Sequence, residues 1–279
     1  MRFITEEELR ARFGLGRGSE LRLAHNERLT PAAVNLVNDR GIRVLHVDEQ
    51  GHTAVASEEG QLKRVSVLRT DTTTKAGRRC SQCGGHVAEK PENMTHLDGE
   101  TLVLKTHPRI RLRGRIDALT ASVVLAQTQF DPKGALPPEL SVWLADLRSW
   151  LGGILRAEVT GEPLPELGMG DMNFAAIRAL SHFPDKYLGH DHIVPEASHG
   201  FNVALLNRLR AEAREVELLA ASHPETDRHD IIRALNRLSS AFYIIMLCTR
   251  ISEQGRSLPA ASVWQDIGAT AGGLKRGGN

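Results

Sequence analysis

Apolar residues recur at intervals of three and four through much of the second half of the chain. From Leu140 to Leu155 they form one continuous stripe, widened by Trp143 and Trp150, which is typical of a helix with one buried face. Similar periods occur in four further stretches: 114–130, 173–182, 201–219 after a capping Ser198, and 231–245 after Asp227. About five helices in an up-and-down bundle are therefore predicted.

The first part of the chain has a different pattern, with short apolar runs separated by glycines. A helix is predicted over residues 30–41, because a hydroxyl cap and a proline begin it and a glycine ends it. Residues 42–47 then predict a strand. The change of pattern places a boundary near residue 100, between an N-terminal α/β region (1–100) and a helical-bundle domain (101–279). The expected fold class is mainly α.

Charge and composition narrow the class of protein. The 279 residues carry 35 Lys plus Arg against 34 Asp plus Glu, a formal net charge of +1. This balance provides no broad positive field for nucleic acid or for an anionic membrane, so any anion site must be local. No apolar run reaches the ~18 residues of a membrane span, and the first residues are acidic, unlike the apolar core of a signal peptide. We expect a cytoplasmic protein.

Three charged residues share one helical stripe. Arg210, Arg214 and Glu217 are spaced at i, i+4 and i+7, beside the apolar face of the same predicted helix. Two guanidinium groups four residues apart repel each other, and a polyanion lying across them would relieve that repulsion, since arginine matches phosphate oxygens. The alternative is a solvated face with an ion pair between Arg214 and Glu217.

Two further polar features need an explanation. Asn236 lies in the middle of the next helix beside its core stripe, where it lowers helix propensity, so it needs a ligand or a neighbouring helix as partner. Upstream, Lys105 and Arg109 precede a helix expected to begin near Gly114, with Asp117 one turn in. Such a helix start binds anions, although Asp117 could simply complement the helix dipole.

The stretch from Tyr187 to Gly200 is the densest polar run, with three histidines and two acids within eleven residues. Its composition indicates a site loop. His190 and His192 have a spacing that metal ligands can use, but no strand or helix period supports it. Capping and hydrogen bonding within the loop are the alternative.

The pair Cys80 and Cys83, followed by a glycine, has the form of half a zinc knuckle. A tetrahedral Zn²⁺ or Fe²⁺ site needs two more ligands, for which His86, His96 and His52 are candidates. Two reduced structural thiols are the alternative.

Several of these segments together resemble one family. Residues 28–32, 95–97, 105–117 and 190–200 look like the ethanolamine-utilisation corrinoid adenosyltransferases of the EutT type, and the likeness covers nearly the whole chain. The bundle is also similar, more distantly, to the propanediol-type adenosyltransferases. The resemblance implies a five-helix bundle and transfer of the 5′-deoxyadenosyl group of ATP to cob(I)alamin. The product would be adenosylcobalamin, the coenzyme of ethanolamine ammonia-lyase.

The resemblance also implies roles for the residues singled out above. Arg214, Asp117 and Arg210 would be the catalytic residues, with Asp117 and Arg210 paired near the corrin. Phosphates and ATP would be bound by five residues: Lys105, Arg109, Arg214, Glu217 and Asn236. We expect the corrin to contact His192, Val194 and Phe201, and a metal to bind Cys80 and Cys83.

This sequence departs from the family pattern at four positions. His192 stands where the propanediol-type enzymes have a phenylalanine, and Ser240 stands where they have an aspartate. Val67 and Arg79 replace a histidine and a cysteine of the EutT-type metal site.

The family also implies cofactors, partners and a location. We expect Mg²⁺ with ATP, a homodimer, contacts with ethanolamine ammonia-lyase and a corrinoid reductase, and association with a bacterial microcompartment. We expect no nucleic-acid or membrane partner.

Two other functions remain open at this point. The chain could be a corrinoid carrier that does not alkylate its cargo, or a zinc-knuckle nucleic-acid module that uses the basic stretch 61–79. The second is poorly supported, because no aromatic residues interleave with that stretch for base stacking.

Overall fold

The structure is a computed structural model that describes residues 2–12, 20–24, 26–47, 53–56, 62–64, 78–87 and 89–273. His52, Val67 and most of the basic stretch 61–79, for which predictions were made above, lie outside these ranges.

The N-terminal region contains two helices and two small sheets around its own core. Its elements are β1 (Arg2–Ile4), α1 (Glu6–Arg12), β2 (Glu20–Ala24), β3 (Glu27–Leu29), α2 (Pro31–Asp39), β4 (Arg43–Val47), β5 (Thr53–Ala56) and β6 (Leu62–Arg64). Strands β1 and β3 pair in parallel, and the second sheet has the order β2-β4-β5-β6. The buried side chains that hold them together form a cluster separate from that of the bundle.

The helix and strand predicted for residues 30–47 are confirmed as α2 and β4. The hydroxyl of Thr30 accepts a hydrogen bond from the amide of Ala33 at 3.4 Å, and Pro31 occupies the first helical position. Gly41 follows with a φ of +59°, a left-handed conformation that a glycine adopts without steric cost.

A third sheet links the two parts of the chain. Strands β7 (Arg79–Cys80), β8 (Met94–His96) and β9 (Thr101–Leu104) have the order β7-β9-β8. Cys80 and His96 both pair with Leu102, one on each side of it. This sheet spans residue 100, and the boundary near that residue stays a prediction.

The five predicted helices are confirmed. They are α3 (Pro108–Gln129), α4 (Pro138–Thr160), α5 (Phe174–His182), α7 (Gly200–Ala221) and α8 (His229–Glu253), with α6 (Pro184–Leu188) and α9 (Ala261–Gly273) in addition. Helix α8 is central, since it packs against α4, α5 and α7, while α3 packs against α4 and α7. The mainly α fold class is therefore correct.

Helix α8 alone, among the described residues, is long and apolar enough to cross a membrane by composition. Its most apolar 18-residue window is 67% buried within the protein. It is the core helix of the bundle.

Two predicted helix starts are wrong. Helix α3 begins at Pro108, not near Gly114, because the His107 ring caps it through Nδ1, which accepts the Arg109 amide at 3.2 Å. Asp117 therefore lies in the third turn and cannot be a first-turn acid.

Ser198 does not cap α7. It lies in a 3-10 turn, Ala197–His199, and its hydroxyl donates to Glu196 Oε2 at 3.3 Å. The helix starts two residues later, at Gly200.

Candidate active site on the α7–α8 face

Three predicted site residues meet where α7 packs against α8. Asn236 Nδ2 on α8 donates to Glu217 Oε1 on α7 at 2.8 Å. The other carboxylate oxygen, Oε2, lies 3.2 Å from Arg214 Nη1, but that oxygen is buried and accepts no well-oriented hydrogen bond from the described residues. The mid-helix asparagine thus has a partner on the neighbouring helix, and the glutamate keeps one acceptor site available.

An arginine that the sequence analysis did not single out extends this cluster. Arg237 Nη1 donates to Asn236 Oδ1 at 2.6 Å. Burial lowers the pKa of Arg237, and the nearby Arg178 and Arg233 lower it further, against the opposing effect of Glu217. Arginines from α5 and α8 therefore lie near Arg237, opposed in charge by Glu217, and give this face a local positive field.

A sequence signal for these arginines was available. Arg233 and Arg237 are four residues apart on α8, the same spacing that identified Arg210 and Arg214 on α7. In the sequence these two arginines alternate with the apolar core residues of α8, so the apolar period of the helix makes their spacing difficult to recognise.

Arg210 continues the basic stripe along α7. Its Nε and Nη2 donate to Asn207 Oδ1 at 3.1 and 2.9 Å. Asp117 is exposed on α3, and within the described ranges no ion pair joins it to Arg210. The charge of Arg210 instead acts on the pKa of Tyr243 on α8, which it lowers.

Tyr243 fixes the polar loop to α8. Its hydroxyl lies 3.0 Å from His192 Nδ1 and accepts the amide of Ile193 at 3.1 Å. Burial raises the pKa of Tyr243, while the Ile193 hydrogen bond and Arg210 act in the opposite direction. Sequence reasoning missed this residue because it stands in an apolar run and looks like a core aromatic.

The other two predicted corrin contacts are placed differently. Val194 is 78% exposed next to this loop. Phe201 is 59% exposed and lines a cavity of about 400 Å³ with Asp131 and Leu136, and His192 is not part of that cavity. The structure therefore brings His192 to the α7–α8 face through Tyr243 but shows no such link for Phe201.

The start of α3 lies at the same end of the bundle as the Glu217 cluster. His107 Nε2 is 2.7 Å from Glu225 Oε2, in the turn between α7 and α8. Lys105 is exposed just before this helix. No hydrogen bond or ion pair within the described part of the chain joins Lys105 or Arg109 to Glu217 directly.

Arg109 is held by a buried glutamate. Its Nε donates to Glu158 Oε1 at 2.6 Å and its Nη2 donates to the Glu158 carbonyl at 2.5 Å. Arg113 binds the second carboxylate oxygen and also donates to the Leu97 carbonyl at 2.8 Å. Glu158, whose side chain is 4% exposed, thus joins α3 to α4, while Arg113 also links α3 to Leu97, the residue after β8.

The cysteine pair has the local geometry of a knuckle. Gly84 has a φ of +68° and its amide donates to the Cys80 carbonyl at 2.8 Å. The pKa of the Cys80 thiol is lowered, first by the backbone amide of Cys83 and then by that of Gln82. These amides stabilise a thiolate.

A complete metal site is not formed in the part of the chain that the structure describes, because no group of three or more His, Cys, Asp or Glu residues converges there. His86 is exposed, and His96 has a buried Nδ1 with no hydrogen-bond partner. His190 and His192 use ring nitrogens in contacts with Asp191 and Tyr243. Within these ranges, Cys80 and Cys83 are therefore not joined by the two further ligands that a tetrahedral ion needs.

Comparisons with known proteins give matches over most of the chain. Residues 3–73 match the family model "Corrinoid adenosyltransferase EutT N-terminal domain", and residues 87–249 match the model "Cobalamin adenosyltransferase". A "Corrinoid adenosyltransferase EutT" of Escherichia coli is 40% identical over 273 residues, 96% of this chain and 98% of that protein. The protein of the same description from Salmonella typhimurium is 40% identical over 271 residues, 95% and 98% of the two chains.

Proposed function

The chain belongs to the corrinoid adenosyltransferases of the EutT type, and on that premise we propose that ATP binds to the α7–α8 face with the corrin beside it. The enzyme transfers the 5′-deoxyadenosyl group of ATP to cob(I)alamin and forms adenosylcobalamin, the coenzyme of ethanolamine ammonia-lyase. Membership of this family favours this activity over the two other functions considered above, a corrinoid carrier and a nucleic-acid module.

One observation supports the proposed position of ATP. The contact between Glu217 and Asn236 is a polar link at a helix interface whose buried residues are mostly apolar, and Glu217 Oε2, although 3.2 Å from Arg214 Nη1, accepts no well-oriented hydrogen bond from the described residues. A buried acceptor of this kind needs a partner. A ribose or adenine donor on ATP would supply it, with the phosphates against Arg214.

The reaction requires the protein mainly to align the two substrates and to stabilise the charge that develops. Cobalt(I) supplies the electron pair for the new bond to C5′, while the C5′–O bond breaks and triphosphate leaves with its electrons. Negative charge grows on the departing phosphates. Arg214 would stabilise that charge, and loss of one such contact costs about 3 kcal/mol.

The start of α3 completes the proposed phosphate site. Lys105 is exposed there and free to turn toward a phosphate, and the contact between His107 and Glu225 keeps this segment at the ATP end of the bundle. Arg109 already binds Glu158 through two nitrogens, so a phosphate would share this guanidinium with the carboxylate.

The corrin is proposed to lie farther along the same face. Arg210 and Asp117 would flank it, with His192 and Val194 against the macrocycle and Phe201 at its margin. Val194 offers an exposed apolar side chain to such a ligand, and His192 is already held in place by Tyr243.

The family implies further components that belong to the proposal. Mg²⁺ would accompany the ATP phosphates. Zn²⁺ or Fe²⁺ would bind Cys80 and Cys83, but the described residues complete no ligand set, so no reaction step is assigned to that metal. Metal analysis of the wild type and Cys80→Ser tests this, since equal metal content in both would exclude the site.

The proposal also extends to assembly and location. We propose a cytoplasmic homodimer that serves ethanolamine ammonia-lyase, receives reduced corrinoid from a corrinoid reductase and associates with a bacterial microcompartment. Sedimentation analysis tests the dimer, and a monomer at micromolar concentration would contradict it.

A matched pair of variants tests the ATP site. Arg214→Ala should lower the rate of adenosylation about 100-fold at saturating ATP, measured as the ATP-dependent decrease of the cob(I)alamin absorbance. Arg208→Ala removes an arginine of the same helix that is 70% exposed and whose one ion pair with a described residue is to Glu212, so its rate should match that of the wild type. Equal rates in both variants would remove Arg214 from the site.

A further inference from the structure

His192 is held by contacts on both ring nitrogens. The Tyr243 hydroxyl lies 3.0 Å from Nδ1, and Nε2 lies 3.4 Å from the carbonyl oxygen of His182. The two rings also stack, with centroids 6.0 Å apart and planes inclined by 25°. The imidazole is therefore fixed in place although its residue is exposed.

These partners determine which ring nitrogen carries hydrogen. The carbonyl oxygen of His182 can only accept, so Nε2 of His192 must be the donor. A neutral imidazole has a single N–H, which makes Nδ1 the acceptor of the Tyr243 hydroxyl hydrogen. The Ile193 amide donates to the same hydroxyl at 3.1 Å and so directs its hydrogen toward His192. Neither ring nitrogen keeps a lone pair free for a metal ion.

The surface beside this pair suits a flat apolar ligand. Phe183, which directly follows α5, is 57% exposed, and Val194, two residues after His192 in the same loop, is 78% exposed. The Phe183 ring lies 6.3 Å from that of His182, whose carbonyl faces His192. Large exposed apolar side chains grouped around fixed polar atoms mark a binding surface.

We propose that Tyr243 is a positioning residue that keeps His192 beside the corrin while preventing either imidazole nitrogen from coordinating cobalt. This inference rests on the proposed function, which places the corrin on this face. Imidazole is the commonest metal ligand among side chains, and an axial ligand alters the electronic state of a bound metal. With both nitrogens engaged, the cobalt face next to His192 meets a ring but no nitrogen donor.

The free enzyme offers a first test that needs no variant. Nitrogen-15 NMR of labelled histidines reports which ring nitrogen of His192 carries hydrogen. We expect hydrogen on Nε2 at neutral pH. Hydrogen on Nδ1 would overturn the inference, because the ring would then present a free Nε2 lone pair.

Electron paramagnetic resonance of cob(II)inamide, bound to the enzyme in the presence of ATP, provides the second test. Cob(II)inamide lacks the nucleotide base that could supply a nitrogen ligand, so any nitrogen splitting of the cobalt lines must come from the protein. We expect no splitting with the wild type. Tyr243→Phe keeps the ring but removes the hydroxyl, and it should produce a threefold nitrogen splitting.

A double variant identifies the donor. Tyr243→Phe combined with His192→Ala should lose the splitting. Adenosylation of cob(II)inamide with a chemical reductant should fall about tenfold in Tyr243→Phe, because a nitrogen bound to cobalt changes its reduction potential, and the rate of the double variant should rise above that of Tyr243→Phe. Splitting in the wild type, or none in Tyr243→Phe, overturns the inference.

A third variant separates this inference from the placement of the corrin. Val194→Asp puts a charge into the exposed apolar surface and should weaken binding of cob(II)inamide about tenfold. If it does so while Tyr243→Phe shows no splitting, the corrin site stands and the role of Tyr243 is wrong. If Val194→Asp, His192→Ala and Tyr243→Phe all leave affinity and spectrum unchanged, the corrin does not bind here and the proposed placement fails.

Discussion

Asn236 on α8 and Glu217 on α7 are joined by a single hydrogen bond of 2.8 Å across an otherwise apolar interface. A largely buried carboxylate with one oxygen that accepts no well-oriented hydrogen bond from the described residues is a costly feature in a helix bundle. Its presence next to Arg214 and Arg237 is accounted for by a ligand that approaches from the same side.

Asn236→Ala tests whether this link serves both the fold and ATP. Removal of the amide leaves Glu217 Oε1 buried without a donor, which should lower the free energy of unfolding by about 1–3 kcal/mol. ATP affinity measured by calorimetry should also fall. Ser240→Ala is the matched control one turn along the same helix, with an expected change within about 0.5 kcal/mol and unchanged ATP affinity. If Asn236→Ala binds ATP like the wild type, the asparagine is structural only.

The parts of the fold that sequence could predict are those where burial follows a local period. The apolar stripe from Leu140 to Leu155 lies against the core, as its spacing required, and α4 is confirmed. Helix α3 was placed six residues too late because its first turns contain Arg109, Arg111 and Arg113, whose charges hide the helical period. Two of these arginines bind Glu158, which is more than 40 residues away in sequence.

The candidate site could also be predicted from the sequence only where its residues follow a local period. Arg214 and Glu217 could be grouped in advance because a helix places positions three apart on one face. The link from Glu217 to Asn236, and that from His192 to Tyr243, depend on how α7, α8 and the loop pack together. No local pattern contains that information.

Glu158→Gln should destabilise the protein strongly. The carboxylate is 4% exposed and neutralises Arg109 and Arg113, whose side chains are 28% and 14% exposed, so its replacement removes the buried counter-charge that the two guanidinium groups share. Loss of a partner in a buried ion pair costs about 3–5 kcal/mol, which urea denaturation would show as a lower midpoint.

Glu162→Gln is the control for that change. Glu162 is 58% exposed and lies 3.6 Å from Arg156, an ion pair of the exposed kind that contributes at most about 1 kcal/mol. Equal midpoints for Glu158→Gln and Glu162→Gln would show that the buried carboxylate does not hold α3 to α4.

Gly170→Ala should be more damaging than its backbone conformation alone explains. Gly170 has a φ of +55°, and a Cβ there would lie 2.5 Å from Trp143 Nε1. Gly161 has a φ of +74° with no atom within 4 Å of a Cβ, so Gly161→Ala measures the left-handed conformation by itself, about 1–2 kcal/mol. Gly170→Ala should cost about 1–3 kcal/mol more, with a change in tryptophan fluorescence as Trp143 moves. Equal losses of stability would mean that the indole shifts freely.

The two kinds of cysteine should differ in their reaction with iodoacetamide. Hydrogen bonds from the Cys83 and Gln82 amides lower the pKa of Cys80, so its thiolate persists to lower pH and its alkylation rate should reach half-maximum below the ordinary thiol value of about 8.5. Burial raises the pKa of Cys248 to about 12, and its thiol is inaccessible, so this residue should stay unmodified in the folded protein. Peptide mass spectrometry from pH 6 to pH 10 resolves the two, with Cys248 as the internal check that the protein remains folded. If the pH at which Cys80 reaches half its maximal alkylation rate is at or above that of free cysteine, the knuckle amides do not point at its sulfur. The local knuckle geometry at Cys80 and Cys83 would then be absent.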